Sequence, residues 1–348
     1  MAWAATDVNL SVTLRELPDL SAREWDDVMA SYQDATVFHS SAWHQGLNEA
    51  LPGRVVRFQI ELGGEVCGHW CGFLIKKFGI KVFGAPLPGT ATDYMHPVFS
   101  KAPAVDEFLN AVRTWASARR VGLVEIGGEC FDDHSLTAAG YRLQPTRTYR
   151  VDLSGGEDAV WHRLKPAMRN KIRKAEKQGV TVIEDTSTAF AQEFSDMLRS
   201  VFNRQGKAPS YDQRRIEIVT RALSAAGRLT ALTAMRDDQR LASVILLHDA
   251  KTAYFWAGAS YPVAYPFGAN DIIQWRALQL AMSRGLAGYD GCGGGDYKEK
   301  LGGALVSLPA AHLVLRPVFG LVRSSVLKGF RAKQALLGAV QRVATGWR

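Results

Sequence analysis

Two stretches of this chain echo one another about half its length apart. The first, VVRFQIELGGEVCGHWCGFLIKKFGIKVFGAP, folds strand-like runs around a Gly63-Gly64 turn and reaches Gly84. The second, LTALTAMRDDQRLASVILLHDAKTAYFWAGAS, does the same around Asp237-Asp238 and reaches Gly258. In both, 21 residues separate the turn from the later glycine. Each block leads into a helix, a small-residue turn and a further short strand, VGLVEIGG after Arg120 and GLAGYDGCGG after Arg284. A two-fold echo of this length suggests a duplicated domain and not a solenoid. Mixed strand–helix order with hairpins predicts an α/β (α+β) fold with one helix-flanked, mostly antiparallel sheet per half.

A chain of 348 residues suits two domains, each able to bury a core. Its 47% hydrophobic and 22% charged residues are ordinary for a soluble globular protein. No apolar run approaches the roughly 20 residues of a membrane span. The start, MAWAATDVNLSV, has no basic segment followed by an apolar one, so a secretion signal is not expected. Four cysteines, Cys67, Cys71, Cys130 and Cys292, fit a reducing cytoplasm better than a disulfide scaffold. The net charge of +8 is concentrated at one end, because Glu299 is the last acidic residue and eight basic residues follow it.

Ser21 and Glu24 have capping-box spacing for a helix from Ser21 to Met29, after a strand over 8–16. A second helix is expected over Ser41–Ala50, and a third over Val105–Arg119 from the spacing of Phe108, Leu109, Val112 and Trp115. The segment SGGEDAVWHRLKPAMRNKIRKAEKQGV predicts one long basic helix ending at Gly179 as its C′ residue. Its apolar stripe is Trp161, Leu164, Met168, Ile172 and Ala175, with Arg169, Arg173 and Lys177 opposite.

Cys67, His69 and Cys71 alternate on one face of a strand, but residues two apart are separated by about 7 Å. Tetrahedral zinc needs its ligands closer, so a half-buried strand face is the better reading and no metal is expected. The sequence contains no nucleophile elbow, P-loop or H-E-x-x-H motif, which disfavours hydrolase and metalloenzyme chemistry.

Three segments remain. The basic helix is either a solvated face or an anion site, where guanidinium forks can grip phosphate. The segment AYFWAGASYPVAYPFGANDIIQWRALQLAMSRG holds Tyr254 and Trp256 on a strand ending at Gly258, with Ser260 just beyond it, and it places Asn270 as N-cap of the following helix. Free amides at such a helix start can receive an acyl carbonyl or an anion, and simple packing of a capped helix is the alternative. In YDGCGGGDYKEKLGG, four glycines between Asp290 and Asp296 suggest backbone held close to a ligand, with Tyr297 and Lys298 presented just after.

At these residues the sequence resembles the Fem family (FemABX-like) of peptidoglycan-bridge aminoacyltransferases and their GNAT-superfamily acyltransferase relatives. The residues that carry the likeness are R-x-x-I-R-K-A-x-K-x-G-V at Arg169–Val180, W-A-G-A-S, W-R-A, Y-D-G-x-G and Y-K-E-K-L-G-G. It spans about Phe38 to Gly303 and is strongest over 149–303. The resemblance implies two tandem GNAT-like domains: 1–150 for acceptor binding and architecture, 151–310 for acyl transfer, and 311–348 as a basic tail. It further implies Lys298 as the oxyanion stabiliser; the amine proton would go to a neighbouring carboxylate, Asp290 or Asp296, or to a group of the bound substrate. Arg169 would hold acceptor phosphates together with Arg173, while Trp43, Asp93 and Tyr94 contribute from the first half to a cleft between the halves. Tyr254, Trp256, Ser260, Asn270 and Tyr297 complete the substrate-binding set. CoA-dependent GNAT enzymes carry R/Q-x-x-G-x-G/A, whose amides cradle the CoA pyrophosphate. Here AYPFGAND has one glycine and neither Arg nor Gln at its start. The expected donor is therefore aminoacyl-tRNA, with acyl-CoA as the alternative and no bound cofactor.

After Pro317 the sequence reads as a basic amphipathic helix with Phe319, Val322, Val326, Phe330, Leu337 and Val340 near one stripe. It would dock on the body, on anionic lipid or on tRNA phosphate. The expected location is cytoplasmic with peripheral membrane contact as an option. A non-catalytic protein that binds nucleic acid or an anionic polymer is the competing class.

Overall fold

A computed structural model describes residues 11–77, 79–204 and 211–316, with the side chains of Lys77 and Asp296 outside that description. The basic tail expected after Pro317 lies outside the described residues. Along the first part of the chain run β1 (Val12–Glu16), α1 (Ala22–Ala30), α2 (Ser41–Ala50), β2 (Gly53–Leu62), β3 (Glu65–Lys77), β4 (Ile80–Ala85), β5 (Val98–Phe99), α3 (Val105–Ala118), β6 (Val121–Gly127), α4 (Asp133–Ala138) and β7 (Arg142–Leu143). There follow β8 (Thr146–Asp152), α5 (Gly156–Arg163), α6 (Pro166–Lys177), β9 (Thr181–Glu184), α7 (Phe190–Arg204), α8 (Gln213–Ala225), β10 (Leu229–Arg236), β11 (Gln239–His248), β12 (Thr252–Ser260), α9 (Ala269–Ser283), β13 (Gly288–Asp290), β14 (Ala304–Leu308) and β15 (Ala310–Val314).

The chain forms two compact units. In the first, the sheet order is β1-β2-β3-β4-β6-β15-β7, with β5 added to β3. In the second it is β9-β10-β11-β12-β13-β8-β14. Among the described residues each sheet has a single parallel pair, β4 with β6 and β12 with β13, and antiparallel pairs elsewhere. The sequence echo is therefore real in three dimensions. Gly63-Gly64 and Asp237-Asp238 are equivalent hairpin turns, all four with positive φ, as two-residue turns matched to strand twist require.

The two plans exchange one strand. By chain proximity β8 would pair with β7, and β15 with β14. Instead β15 joins β6 and β7, while β8 joins β13 and β14. Pro145 and Pro309 mark the two exchange points. The expected boundary at 150/151 thus moves to 145/146, because β8 begins at Thr146 and is a central strand of the second sheet. Residues 311–314 are likewise a strand of the first sheet and not the start of a tail.

Local rules explain most elements. Ser21 and Glu24 exchange side-chain-to-amide hydrogen bonds at the start of α1, the capping box expected. Gly179 has φ 76 beyond α6. The long basic helix is corrected to two helices, α5 and α6, broken at Leu164-Lys165. Pro166 lacks an amide hydrogen and forces its predecessor out of the helical region, and Lys165 is extended with ψ 140. Leu164, Met168, Ile172 and Ala175 still form a buried stripe, packed with Ile272, Trp275 and Leu278 of α9. In the first unit, Phe58, Phe83 and Trp115 meet edge to face with centroids 4.9–5.8 Å apart.

Candidate functional site

The parallel strand pair is where the two sheets part company. In the first unit β4 stays paired with β6 through Ala85 opposite Ile126. In the second, β12 pairs with β13 only over Thr252–Tyr254 and Gly288–Asp290. The chain then leaves the sheet as the glycine loop, while β12 continues to Ser260 with β11 alone beside it among the described residues. A strand edge left open presents amides and carbonyls that an extended ligand can pair with. A bulge sits on this stretch: Ala257 faces Ile245 and Phe255 faces Leu246, so Trp256 is the extra residue. Bulges of this kind re-aim side chains beside functional sites.

The glycine loop that follows β13 is tied from both sides. Asp290, almost fully buried, accepts hydrogen bonds from Thr148 Oγ1 at 2.6 Å, Arg150 Nε at 3.1 Å and the Cys292 amide at 2.7 Å. Lys298, also buried, donates to the carbonyls of Gly291, Cys292 (3.2 Å) and Gly293 (3.3 Å). Its Nζ lies 5.3 Å from the Phe255 ring centre on β12. The rest of the K-E-K-L-G-G motif anchors this lysine. Glu299 pairs with Lys165 at 2.6 Å, and Lys300 with Asp271 at 2.5 Å. Leu301 enters the core, and Gly302 has φ 73 where any Cβ would collide with the Arg163 carbonyl. The motif is thus a knot joining the glycine loop to the α5–α6 break and to the start of α9.

Other expected site residues fall as follows. Trp256 stacks on Tyr211 (5.2 Å, 14°) and meets Trp43 edge-on at 6.0 Å. Trp43 is therefore corrected: α2 belongs to the second unit, and its tryptophan is fully buried core. Asp93 and Tyr94 stay in the first unit, where Tyr94 is buried against Phe38 and His96. Tyr254 is buried with its hydroxyl donated to Asp249 at 2.7 Å. Burial first, and then the Asp249 charge, push its pKa well up, so it serves the strand's packing. Asn270 is also corrected. Gly268 caps α9 with φ 69, and the Asn270 side chain donates to Ser260 Oγ at 3.1 Å. Glycine is required there because a Cβ would lie 2.8 Å from the Lys171 carbonyl. Tyr297 is exposed. Arg173 lies over the Trp161 ring at 5.4 Å, and Arg169 is half-buried on α6. His69 bonds through Nδ1 to the Tyr32 hydroxyl at 2.8 Å. Among the described residues no group of three or more His, Cys, Asp or Glu is placed to hold a metal.

Residues 163–301 match the family model of the acetyltransferase (GNAT) domain. FemX superposes with a TM-score of 0.69 at 15% identity over 88% of this chain and 99% of that one. The fold is that of a Fem-like tandem GNAT protein. A tandem GNAT protein from the clavulanic acid biosynthesis pathway (TM-score 0.54, 12% identity, 88% of this chain and 99% of that one) has the same fold. So does L-PGS from Bacillus licheniformis (TM-score 0.55, 12% identity, 89% and 97%). No curated protein matches the sequence. The residues that match this GNAT domain model lie in the second unit, which is also the unit whose parallel strand pair is open.

In CoA-using GNAT enzymes the pyrophosphate meets the amides that start the helix equivalent to α9. Here Asp271, in the first turn of α9 and 4% exposed, places its own carboxylate at that positive helix end. The Lys171 carbonyl closes over Gly268 beside it. The Asp271 carboxylate is paired with Lys300, so what stands against a diphosphate is the Lys171 carbonyl crowding Gly268 and the single glycine of AYPFGAND, which do not form the usual CoA cradle. Four contributors escaped sequence reasoning: Thr148, Arg150, Asp271 and Phe255. Thr148 and Arg150 lie about 140 residues from Asp290 and gave no local signal. Asp271 and Phe255 stand inside segments already singled out, where only the fold reveals their partners.

Proposed function

We propose that the protein is an N-acyltransferase that moves an aminoacyl group from aminoacyl-tRNA onto an amine of a cell-envelope precursor, sugar or peptide. The single observation that carries the reading is the open β12 edge facing a glycine loop clamped by Asp290 and Lys298. The acyl ester lies along that edge, and the acceptor amine attacks its carbonyl. A tetrahedral oxyanion forms, the C–O bond to the terminal ribose breaks, and the amine proton passes to the departing ribose oxygen. Fixed dipoles at the developing charge are worth about 3 kcal/mol in a site shielded from water.

Asp290 keeps the loop in place through three hydrogen bonds, which suits a positioning role better than that of a base. The side chain of Asp296 lies outside the described residues. On α6, Arg169, Lys171, Lys174 and Lys177 have no acidic partner among the described residues, which suits the phosphates of a nucleic acid. The Lys171 carbonyl crowding Gly268 at the start of α9, in a loop with a single glycine, suits aminoacyl-tRNA better than acyl-CoA as donor. Among the described residues no helix is long and apolar enough to cross a membrane.

The test is transfer from a pool of tRNA charged with labelled amino acids, set beside labelled acetyl-CoA, with hydroxylamine as a generic amine acceptor. The reading expects enzyme-dependent hydroxamate from charged tRNA above the uncatalysed rate. Product from acetyl-CoA alone would reassign the donor, and salt-dependent tRNA binding without transfer would make the protein a binding module.

A further inference from the structure

The Lys298 ammonium has three N–H donors, and three successive carbonyls, those of Gly291, Cys292 and Gly293, lie within hydrogen-bonding distance of it. In a trans peptide the C=O and the following N–H point in opposite directions. Drawing these oxygens onto Nζ therefore turns the amides of Cys292, Gly293 and Gly294 away from it. The Cys292 amide meets Asp290 at 2.7 Å, and the Gly293 amide meets Thr148 Oγ1 at 3.3 Å. The Gly294 amide meets no acceptor among the described residues. Cys292 itself holds φ 49, a left-handed conformation that a non-glycine residue keeps only under restraint. The loop is thus stretched between a cation on its carbonyl side and a carboxylate and hydroxyl on its amide side.

We infer that Lys298 is a positioning residue, which serves acyl transfer by fixing this loop so that the Gly293–Gly294 peptide offers its N–H to the oxyanion. The inference rests on the acyl-transfer reading above. An ammonium turned directly onto substrate would abandon a buried carbonyl and leave it unsatisfied. Among the described residues the Gly294 amide has no acceptor to give up. Asp290 and Thr148 complete the clamp from the other side.

Cys292 is a built-in reporter of the clamp. Its rate of alkylation by iodoacetamide, mapped by mass spectrometry, is measured in the wild type, Lys298→Met and Thr148→Val, with kcat and KM for hydroxamate formation from charged tRNA. For Lys298→Met, Cys292 alkylation rises about tenfold as the loop opens, kcat falls by about 10²–10³, and KM for tRNA stays within about threefold. Thr148→Val shows the same pattern more weakly, and it decides the matter if Lys298→Met does not fold. A fall in kcat with Cys292 alkylation unchanged means that the ammonium acts directly on substrate and overturns the inference. Faster alkylation with kcat unchanged also overturns it, since the clamp then serves packing alone. If the wild type shows no turnover with charged tRNA, the donor assignment fails, while the alkylation ratio still decides whether Lys298 holds the loop.

Discussion

The two sheets share one plan and differ at one strand pair. In the first unit β4 and β6 remain paired to the end, and the Cβ position of Gly84 is already crowded by Leu87. In the second unit β12 and β13 separate after three residues, and the space between them is met by a glycine loop tied to Lys298 and Asp290. The same strand plan thus yields one sheet whose parallel pair stays closed and one whose pair opens. The difference lies in side chains that hold a loop, because the strand order is the same in both.

The largest expected effect is structural. Trp43→Ala removes a fully buried indole from the Trp256 face and should cost about 3–5 kcal/mol. Hydrogen exchange should then lose protection in β10–β12 and keep it in β2–β4. Loss confined to β2–β4 would return α2 to the first unit. Next, Asp290→Asn should lower turnover about 100-fold, or about 2.7 kcal/mol. Glu125→Gln, a buried acid on the corresponding strand β6, should leave turnover within about threefold. Equal losses would mean that both units take part in the chemistry.

The smallest effect is on the pH dependence of stability. In the second unit, burial raises the pKa of Asp185, but hydrogen bonds from Arg240, Ser187 and Thr233 outweigh it and the net shift is downward. In the first unit Glu16 behaves alike: burial raises its pKa, while Trp115 and Arg119 bring it below the usual value. A lowered folded-state pKa contributes stability that is present above the unfolded value, about 4, and is lost as pH falls through the folded one. Urea midpoints should therefore drop on acidification below about pH 4. Asp185→Asn and Glu16→Gln should each flatten that drop in their own unit. An unchanged slope in either variant would remove that carboxylate from the account.

Where information was local, the sequence carried it. The turns at Gly63-Gly64 and Asp237-Asp238, the capping box at Ser21 and the stripe of α6 follow from spacing and residue type. Pro166 also carried its message, yet the apolar stripe continues in phase across the break and masks it. The strand exchange at Pro145 and Pro309 was hidden because short connections ordinarily join neighbours. Asn270 lies two residues past the true cap, and only the Lys171 carbonyl explains why glycine holds that place. The partners of Asp290 sit on β8, a strand that reaches this sheet only through the exchange.

The central claim, one acyl-transfer centre in the second unit, has a direct test in the cysteines. The first unit holds Cys67, Cys71 and Cys130; burial raises the pKa of each, and that of Cys130 is pushed up to about 12. The second unit holds Cys292 in the glycine loop. Charged tRNA whose amino group has been bromoacetylated places an electrophile wherever the aminoacyl end binds. Saturable labelling of Cys292, suppressed by unmodified charged tRNA, is the predicted result. Labelling at Cys67, Cys71 or Cys130, or none that saturates, would contradict it.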